Sequence, residues 1–379
     1  MIYLDYAATT PLDPRVEDAM RPHGREIYGN PSSLHSLGRL ARTAVDEARD
    51  RVADSLGAHS AEIIFTSGGT EADNLAIIGV ARAMRHRGDH LVTTAVEHHA
   101  VLESCQALER EGFHVSYLRP DAAGMISAQL VADVITPKTL LVSVMYANNE
   151  VGTIQPIAEI GRICRERGVP FHTDAVQAAS ELDLTVHELN VDLLTLSAHK
   201  LYGPKGVGVL YLRRGTRLQP LLHGGGQEQE RRAGTENVAG IVGCASALAL
   251  ARDPGETARQ RRLRDLLIEG LLAIPDSRLH GDRERRLANN VNVGFSGVAG
   301  ETLLLALDLE GIAISTGAAC SAGAVEPSHV IQAMGYSRIQ AQEAIRLSLG
   351  RATNEEDIRQ TVSIVERLVT RLRQRAHGA

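Results

Sequence analysis

The chain has no tryptophan, only four phenylalanines and eight tyrosines in 379 residues, and so few flat platforms on which unstacked bases could lie. An excess of positive charge is missing too. Forty Lys and Arg against forty-six Asp and Glu give a formal net charge of -6, with the basic residues spread rather than clustered, so direct nucleic-acid binding is not expected. No apolar run approaches the length of a membrane span, and Met1 to Tyr6 lacks the basic and apolar regions of a signal peptide. A cytoplasmic protein without membrane contact is the expectation. The four cysteines, Cys105, Cys164, Cys244 and Cys320, include no C-x-x-C pair, which excludes a disulfide framework and a self-contained zinc site.

What is present is apolar content of 44%, enough for a fully globular chain, and a length that exceeds one ordinary core. Ala41, Val45, Ala48, Val52 and Leu56 recur at helical spacing before Gly57, where a helix stop belongs. A short strand Glu62 to Thr66 follows, then Ser67-Gly68-Gly69-Thr70, then a helix carrying Ile77, Ala81 and Met84. Apolar runs at 91–96, 140–145, 169–172, 191–196 and 207–212 continue the alternation, the pattern of an α/β fold with a largely parallel sheet. Arg252-Asp253-Pro254-Gly255 reads as a connector. The expected organisation is a large domain over 15–255 and a smaller α+β domain made of 1–14 and 256–379. In the latter, strands are expected at 290–295, 312–315 and 344–349, and a last helix opens with Thr353-Asn354-Glu355-Glu356 at capping-box spacing.

Ligands of parallel sheets sit beyond the carboxyl ends of the strands, and the polar residues there form a set: Glu97-His98-His99, Asn148-Asn149-Glu150, Asp174 with Gln177, and Ser197-Ala198-His199-Lys200. Lys200 leaves an apolar strand for a glycine-bounded loop. A lysine deprived of water loses basicity, and its amine becomes free to join a carbonyl cofactor, pyridoxal phosphate above all. Such a cofactor needs a phosphate cradle, an acid facing its pyridine nitrogen and a group against its ring. Gly69 and Thr70 at a helix start suit the cradle. Three-residue spacing lets Asp174 and Gln177 face one ligand from the first turn of a helix. Each residue also suits a structural post: Asp174 and Thr70 as helix caps, Asn148 or Asn149 in a turn, His98 as an interior histidine. The 223–237 segment, with Gly224-Gly225-Gly226 and Arg232-Ala233-Gly234-Thr235, has no periodicity, as expected of a loop that binds something.

Cys105, Cys164 and Cys244 read as small buried hydrophobes, whereas Cys320 lies among small residues in Thr316 to Ala324, a setting suited to a nucleophile. Arg346, inside the apolar strand Ala344 to Leu349, calls for an anion, either a substrate carboxylate or a structural partner.

Glu97-His98, Asn148-Asn149-Glu150, His172-Thr173-Asp174-Ala175-Val176-Gln177, Ser197-Ala198-His199-Lys200 and Arg232-Ala233-Gly234-Thr235 resemble the cysteine desulfurases of the NifS/IscS type. Thr316 to Ser321 with Glu326-Pro327-Ser328 is similar to their catalytic loop, and Tyr28 to Ser33 to their N-terminal signature. The resemblance implies a homodimeric fold-type-I pyridoxal phosphate enzyme that converts L-cysteine to L-alanine. It passes the sulfur, as a persulfide on Cys320, to an acceptor protein such as an iron-sulfur scaffold or a sulfurtransferase. By the same likeness Lys200 holds the cofactor as a Schiff base, Asp174 pairs with its ring nitrogen, and His98 stacks on the ring and serves as acid or base. Asn149 and Gln177 contact the ring and its oxygen. Gly69, Thr70, Ser197 and His199 cradle the phosphate with Thr235 of a second subunit, and Arg346, beside Asn149, holds the substrate carboxylate.

Overall fold

The computed structural model describes residues 1–317 and 326–377. Among the described residues twelve strands occur: β1 (Ile2–Tyr3), β2 (Ile63–Thr66), β3 (His90–Thr94), β4 (His114–Leu118), β5 (Thr139–Ser143), β6 (Phe171–Asp174), β7 (Leu193–Ser197), β8 (Gly208–Leu212), β9 (Ser277–Leu279), β10 (Asn290–Phe295), β11 (Ile312–Ala313) and β12 (Ala344–Ser348). Seven of them form one sheet in the order β2-β8-β7-β6-β5-β3-β4. Strands β3 to β7 are parallel along it, and β8 runs antiparallel to both β7 and β2. The largely parallel α/β sheet expected from the sequence is therefore present, with β4 in addition. Its residues His114 and Ser116 interrupt the apolar run by which the other strands are recognised.

Strands β5, β6, β7 and β8 are buried throughout, because helices cover both faces. On one face the core gathers Val45, Val52 and Leu56 of the helix Ser36–Leu56 with Ile160 and Ile241 of the helices Ile157–Arg167 and Val238–Ala251. On the other it gathers Leu75, Ile77 and Val80 of the helix Gly69–Met84 with Val101 and Leu108 of the helix His99–Arg110. Helix Ser36–Leu56 ends as its spacing predicts. Gly57 takes the left-handed conformation at φ 61° and returns its N–H to the Ala53 and Asp54 carbonyls. Cys105, Cys164 and Cys244 are buried and free.

A second body of structure joins β9, β10 and β12 in an antiparallel sheet, with the helices Pro254–Leu272, Gly300–Leu309 and Glu355–His377 beside it. Its own apolar core includes Leu4, and β1 pairs in parallel with β11, so the first residues of the chain belong with the last third.

Two local expectations are corrected. Arg252 to Gly255 is not an open connector, because Pro254 begins the next helix and Asp253 caps it, accepting from the Gly255 and Glu256 N–H groups. Proline suits a first helical position, where no N–H is needed. At the last helix the reciprocal cap is made by Asn354 and Asp357 rather than Thr353 and Glu356. The Thr353 hydroxyl oxygen instead accepts from the Gly350 N–H.

Candidate active site

The carboxyl ends of the parallel strands open into a cavity of about 510 Å³. Strand β6 delivers Asp174 as its last residue, and β7 delivers Ser197, after which one tight turn over Ala198–Lys200 swings His199 and Lys200 into the same space. Gly69 opens the helix that follows β2, and Thr70 stands in its first turn. His98 caps the helix His99–Arg110, its Nδ1 accepting the Ala100 N–H at 3.1 Å, which leaves Nε2 to carry the ring proton when the imidazole is neutral. Asn149, Gln177 and Arg346 complete the set, so all ten residues that the sequence assigns to this pocket, Cys320 and Thr235 apart, line one cavity. Asp174 and Gln177 do so by a different route from the one expected. They sit on a strand end and the following loop, not on one turn of a helix.

Lys200 is the centre of the arrangement. Its Nζ donates to the carbonyl oxygens of Ala7 at 2.6 Å and Ala8 at 2.7 Å. Loss of water, helped by the neighbouring Arg346 charge and opposed by Asp5 and Asp174, brings its pKa down to about 8. The strap that supplies these carbonyls is the segment Ala7 to Asp13. The His199 carbonyl accepts from both the Thr10 N–H and hydroxyl, and the Thr10 oxygen in turn accepts from the Tyr202 N–H. Gln177 Nε2 donates to the Ala7 carbonyl at 3.0 Å. His199 is kept neutral at ordinary pH, burial lowering it to about 4.

Behind Lys200 lies a group of buried acids. Burial raises Asp174, while His98 and Lys200 pull it back down and the Val176 N–H donates to its Oδ1 at 2.9 Å. Asp73, one helical turn into Gly69–Met84, is raised much further, by burial first and by Asp174 next. His172 stands 3.6 Å from Asp73 and is held neutral by burial, at about 3, between the hydroxyls of Ser143 and Thr195. Asp174 is the member of this group that faces cations, so charge is favoured there over Asp73. His98 shows how open the site is: protein surrounds the ring and depresses its pKa, yet its face remains accessible from the cavity.

Arg346 answers both readings of an arginine in an apolar strand. It pairs with Asp5 at 2.9 Å and donates to the Asn149 carbonyl at 2.9 Å, while its buried Nε has no hydrogen-bond partner among the described residues. The guanidinium is anchored and still has a donor to give. Opposite it, the Ser328 hydroxyl donates to Glu150 Oε2, His329 donates through Nε2 to the Glu97 carbonyl at 3.0 Å, and the His329 and His99 rings lie 4.7 Å apart.

Thr235 is exposed and outside this cavity, and Cys320 lies outside the described residues, of which Gly317 lines the cavity on the near side. Sequence reasoning missed Asp5, the Ala7 and Ala8 carbonyls, Asp73 and His329. Asp73 had one signal, an acid on the apolar face of a helix at i+4 from Gly69.

Against pyridoxal phosphate the residues fit. An amine of lowered basicity, a buried carboxylate and the N-terminus of a sixteen-residue helix meet in one cavity. At Gly69 an added Cβ would stand 3.0 Å from Val176 Cγ2 and 3.5 Å from Ser197 Cβ, so a side chain there would crowd the cradle unless Val176 shifts.

A family model, aminotransferase class-V, matches residues 2–361. The chain is 50% identical over 375 residues to a protein named cysteine desulfurase IscS from Dictyoglomus turgidum, covering 98% of this chain and 95% of that one. Among solved structures it is similar to a NifS-like protein, with a TM-score of 0.92 at 38% identity over 97% of this chain and 99% of that one. A structure titled SspA in complex with cysteine matches with a TM-score of 0.83 at 39% identity, over 92% of this chain and 99% of that one.

Proposed function

The chain belongs to the class-V aminotransferase family, and from that premise we propose how its pocket works as a pyridoxal-phosphate-dependent cysteine desulfurase, converting L-cysteine to L-alanine. The observation that carries the reading is Lys200, an amine drawn down to about pH 8 at the end of a buried strand, sharing one cavity with Asp174 and Arg346.

Lys200 would hold the cofactor, with Asp174 toward its ring nitrogen and His98 at its ring. Gly69, Thr70, Ser197 and His199 would hold its phosphate, and Asn149 and Gln177 its remaining polar edge. When bound, the cofactor supplies a carbonyl that captures the substrate amine and a ring that accepts electrons. Arg346 offers its guanidinium to the substrate carboxylate, and Asp5 and the Asn149 carbonyl keep it aimed. Lys200, displaced by the substrate amine, becomes a base able to carry the α-proton on Nζ, and His98 holds a second proton on Nε2. Cys320 as thiolate attacks the substrate sulfur. A sulfur–sulfur bond forms, the carbon–sulfur bond breaks with its electron pair left to the carbon, and a proton delivered there completes alanine.

The same reading places 15–255 and 1–14 with 256–379 in two domains, the second contributing Arg346 and Cys320. It makes the working unit a homodimer in which Thr235 of one chain completes the phosphate cradle of the other. The sulfur then goes to an iron-sulfur scaffold or a sulfurtransferase in the cytoplasm. No helix among the described residues is long and apolar enough to cross a membrane.

The experiment is product analysis of the holoenzyme with L-cysteine, with and without a keto acid. Equal amounts of alanine and released sulfur, independent of the keto acid, are expected. Amino transfer to the keto acid with cysteine sulfur retained would replace this reading with an aminotransferase.

A further inference from the structure

A second cavity, of about 520 Å³, lies at the opposite edge of the main sheet, where the parallel strands begin. Pro170, just before β6, and Asp192, just before β7, line it, whereas Asp174 and Ser197 at the far ends of the same strands line the first cavity. The five residues of β7 separate the two sites by roughly 15 Å.

Its chemistry is one-sided. Arg87, Arg165, Arg213, Arg214 and Arg217 face it, and Asp192 is its one carboxylate. That carboxylate is already spent, on the Arg213 guanidinium at 2.8 Å and on the Phe171 N–H at 3.0 Å. The guanidinium groups of Arg87, Arg165, Arg214 and Arg217 make no hydrogen bond or ion pair among the described residues. Arg165 stands in the last turn of its helix, where a cation offsets the helix dipole. That accounts for Arg165. It does not account for Arg87, in the turn after the helix Gly69–Met84, nor for Arg214 and Arg217, which follow a strand and add their charges to the same space in a chain whose net charge is -6. All four are exposed, so water screens their mutual repulsion, and an anion entering the cavity would meet four guanidinium groups at once. Met84, Val169 and Pro170 add an apolar wall to the basic rim.

We propose that this cavity binds a diphosphate-bearing small molecule, of the class of nucleoside diphosphates and triphosphates or inorganic pyrophosphate. Guanidinium forks match phosphate oxygens two by two, and the volume falls in the range of small-ligand sites, from ~300 to ~1,000 Å³. Four uncommitted cations suit a diphosphate better than a single carboxylate. The glycine-bounded turn Ser67 to Thr70 is a separate site on the other edge of the sheet and takes no part.

The test is calorimetric titration of the holoenzyme, its phosphate cradle already filled, with inorganic pyrophosphate and with ADP in parallel. One site per chain is expected, weakening as salt rises. The double variant Arg214→Ala, Arg217→Ala is expected to lose about tenfold or more in affinity, and Arg165→Glu to do the same from another element. Alanine formation from cysteine without added anion stays unchanged in these variants. Stronger binding of ADP than of pyrophosphate assigns the apolar wall to the base, and equal binding assigns the site to the diphosphate alone; both support the proposal. No binding of either at about 1 mM, or binding that all these substitutions leave intact, overturns it.

Discussion

Lys200 keeps its charge in a place that disfavours it, and the pH response of the protein follows from that. The folded chain holds its pKa at about 8, below the ordinary 10.5, so between those values the unfolded chain binds the extra proton and this lysine makes the apoprotein more stable as pH rises. The amine must also be neutral to attack a carbonyl. Capture of pyridoxal phosphate by the apoprotein, followed by absorbance, is therefore expected to quicken as pH rises through about 8 and to level off above it. A rate flat through that range would mean that Lys200 is not desolvated as described. The buried acids make a second contrast. Burial and Asp174 push Asp73 well above the ordinary carboxylate range and no cation pulls it back, so Asp73→Asn is expected to leave cofactor affinity within about twofold. Asp174→Asn removes the charge that faces the ring and is expected to weaken affinity by about tenfold or more, read by dialysis and absorbance. Equal losses from the two would contradict this division of charge.

At the level of elements, the glycine-rich segment 223–237 is pinned rather than free. Glu228, buried and in the left-handed region at φ 48°, takes both guanidinium nitrogens of Arg49 at 2.7 Å and the Phe65 N–H at 3.0 Å. Further along, Arg232 grips Glu71 of the phosphate-cradle helix at 2.8 Å. Glu228→Ala leaves Arg49 buried with a lone carbonyl for company and is expected to cost about 3–5 kcal/mol in denaturant unfolding of the apoprotein. A loss below about 1 kcal/mol would show the pair to be incidental. These ion pairs were not legible in the sequence, because Arg49 and Glu228 are 179 residues apart and each is unremarkable alone. Lys200, Asp174, His98 and Gly69 were legible for the opposite reason. Each stands next to a strand end or a helix start, and local pattern marks those points. The Ala7 and Ala8 carbonyls could not be found that way, since backbone acceptors carry no residue signature. Strand β4 was missed because its polar residues break the apolar run, and Pro254 was taken for a break where it opens a helix.

At the scale of the whole molecule, each chain gathers most of a pocket and leaves Thr235 exposed outside it. If a second copy supplies that hydroxyl, the holoenzyme sediments as a dimer, and Thr235→Ala weakens cofactor retention several-fold, in line with a lost hydrogen bond of about 1–2 kcal/mol to a charged group. A monomer that retains its cofactor equally well with and without Thr235 would contradict the shared cradle. Two edges of one sheet then carry two kinds of chemistry, the Lys200 amine at the carboxyl ends and a cluster of guanidinium groups at the amino ends. The central claim is that cysteine sulfur passes through Cys320, and the most direct measurement is peptide mass analysis of the holoenzyme after L-cysteine is added without reductant. The account predicts one additional sulfur on the Cys320 peptide, absent from Lys200→Ala, together with alanine. Alanine formed at the normal rate with no sulfur on that peptide, or by Cys320→Ala as readily as by the unaltered chain, would contradict it.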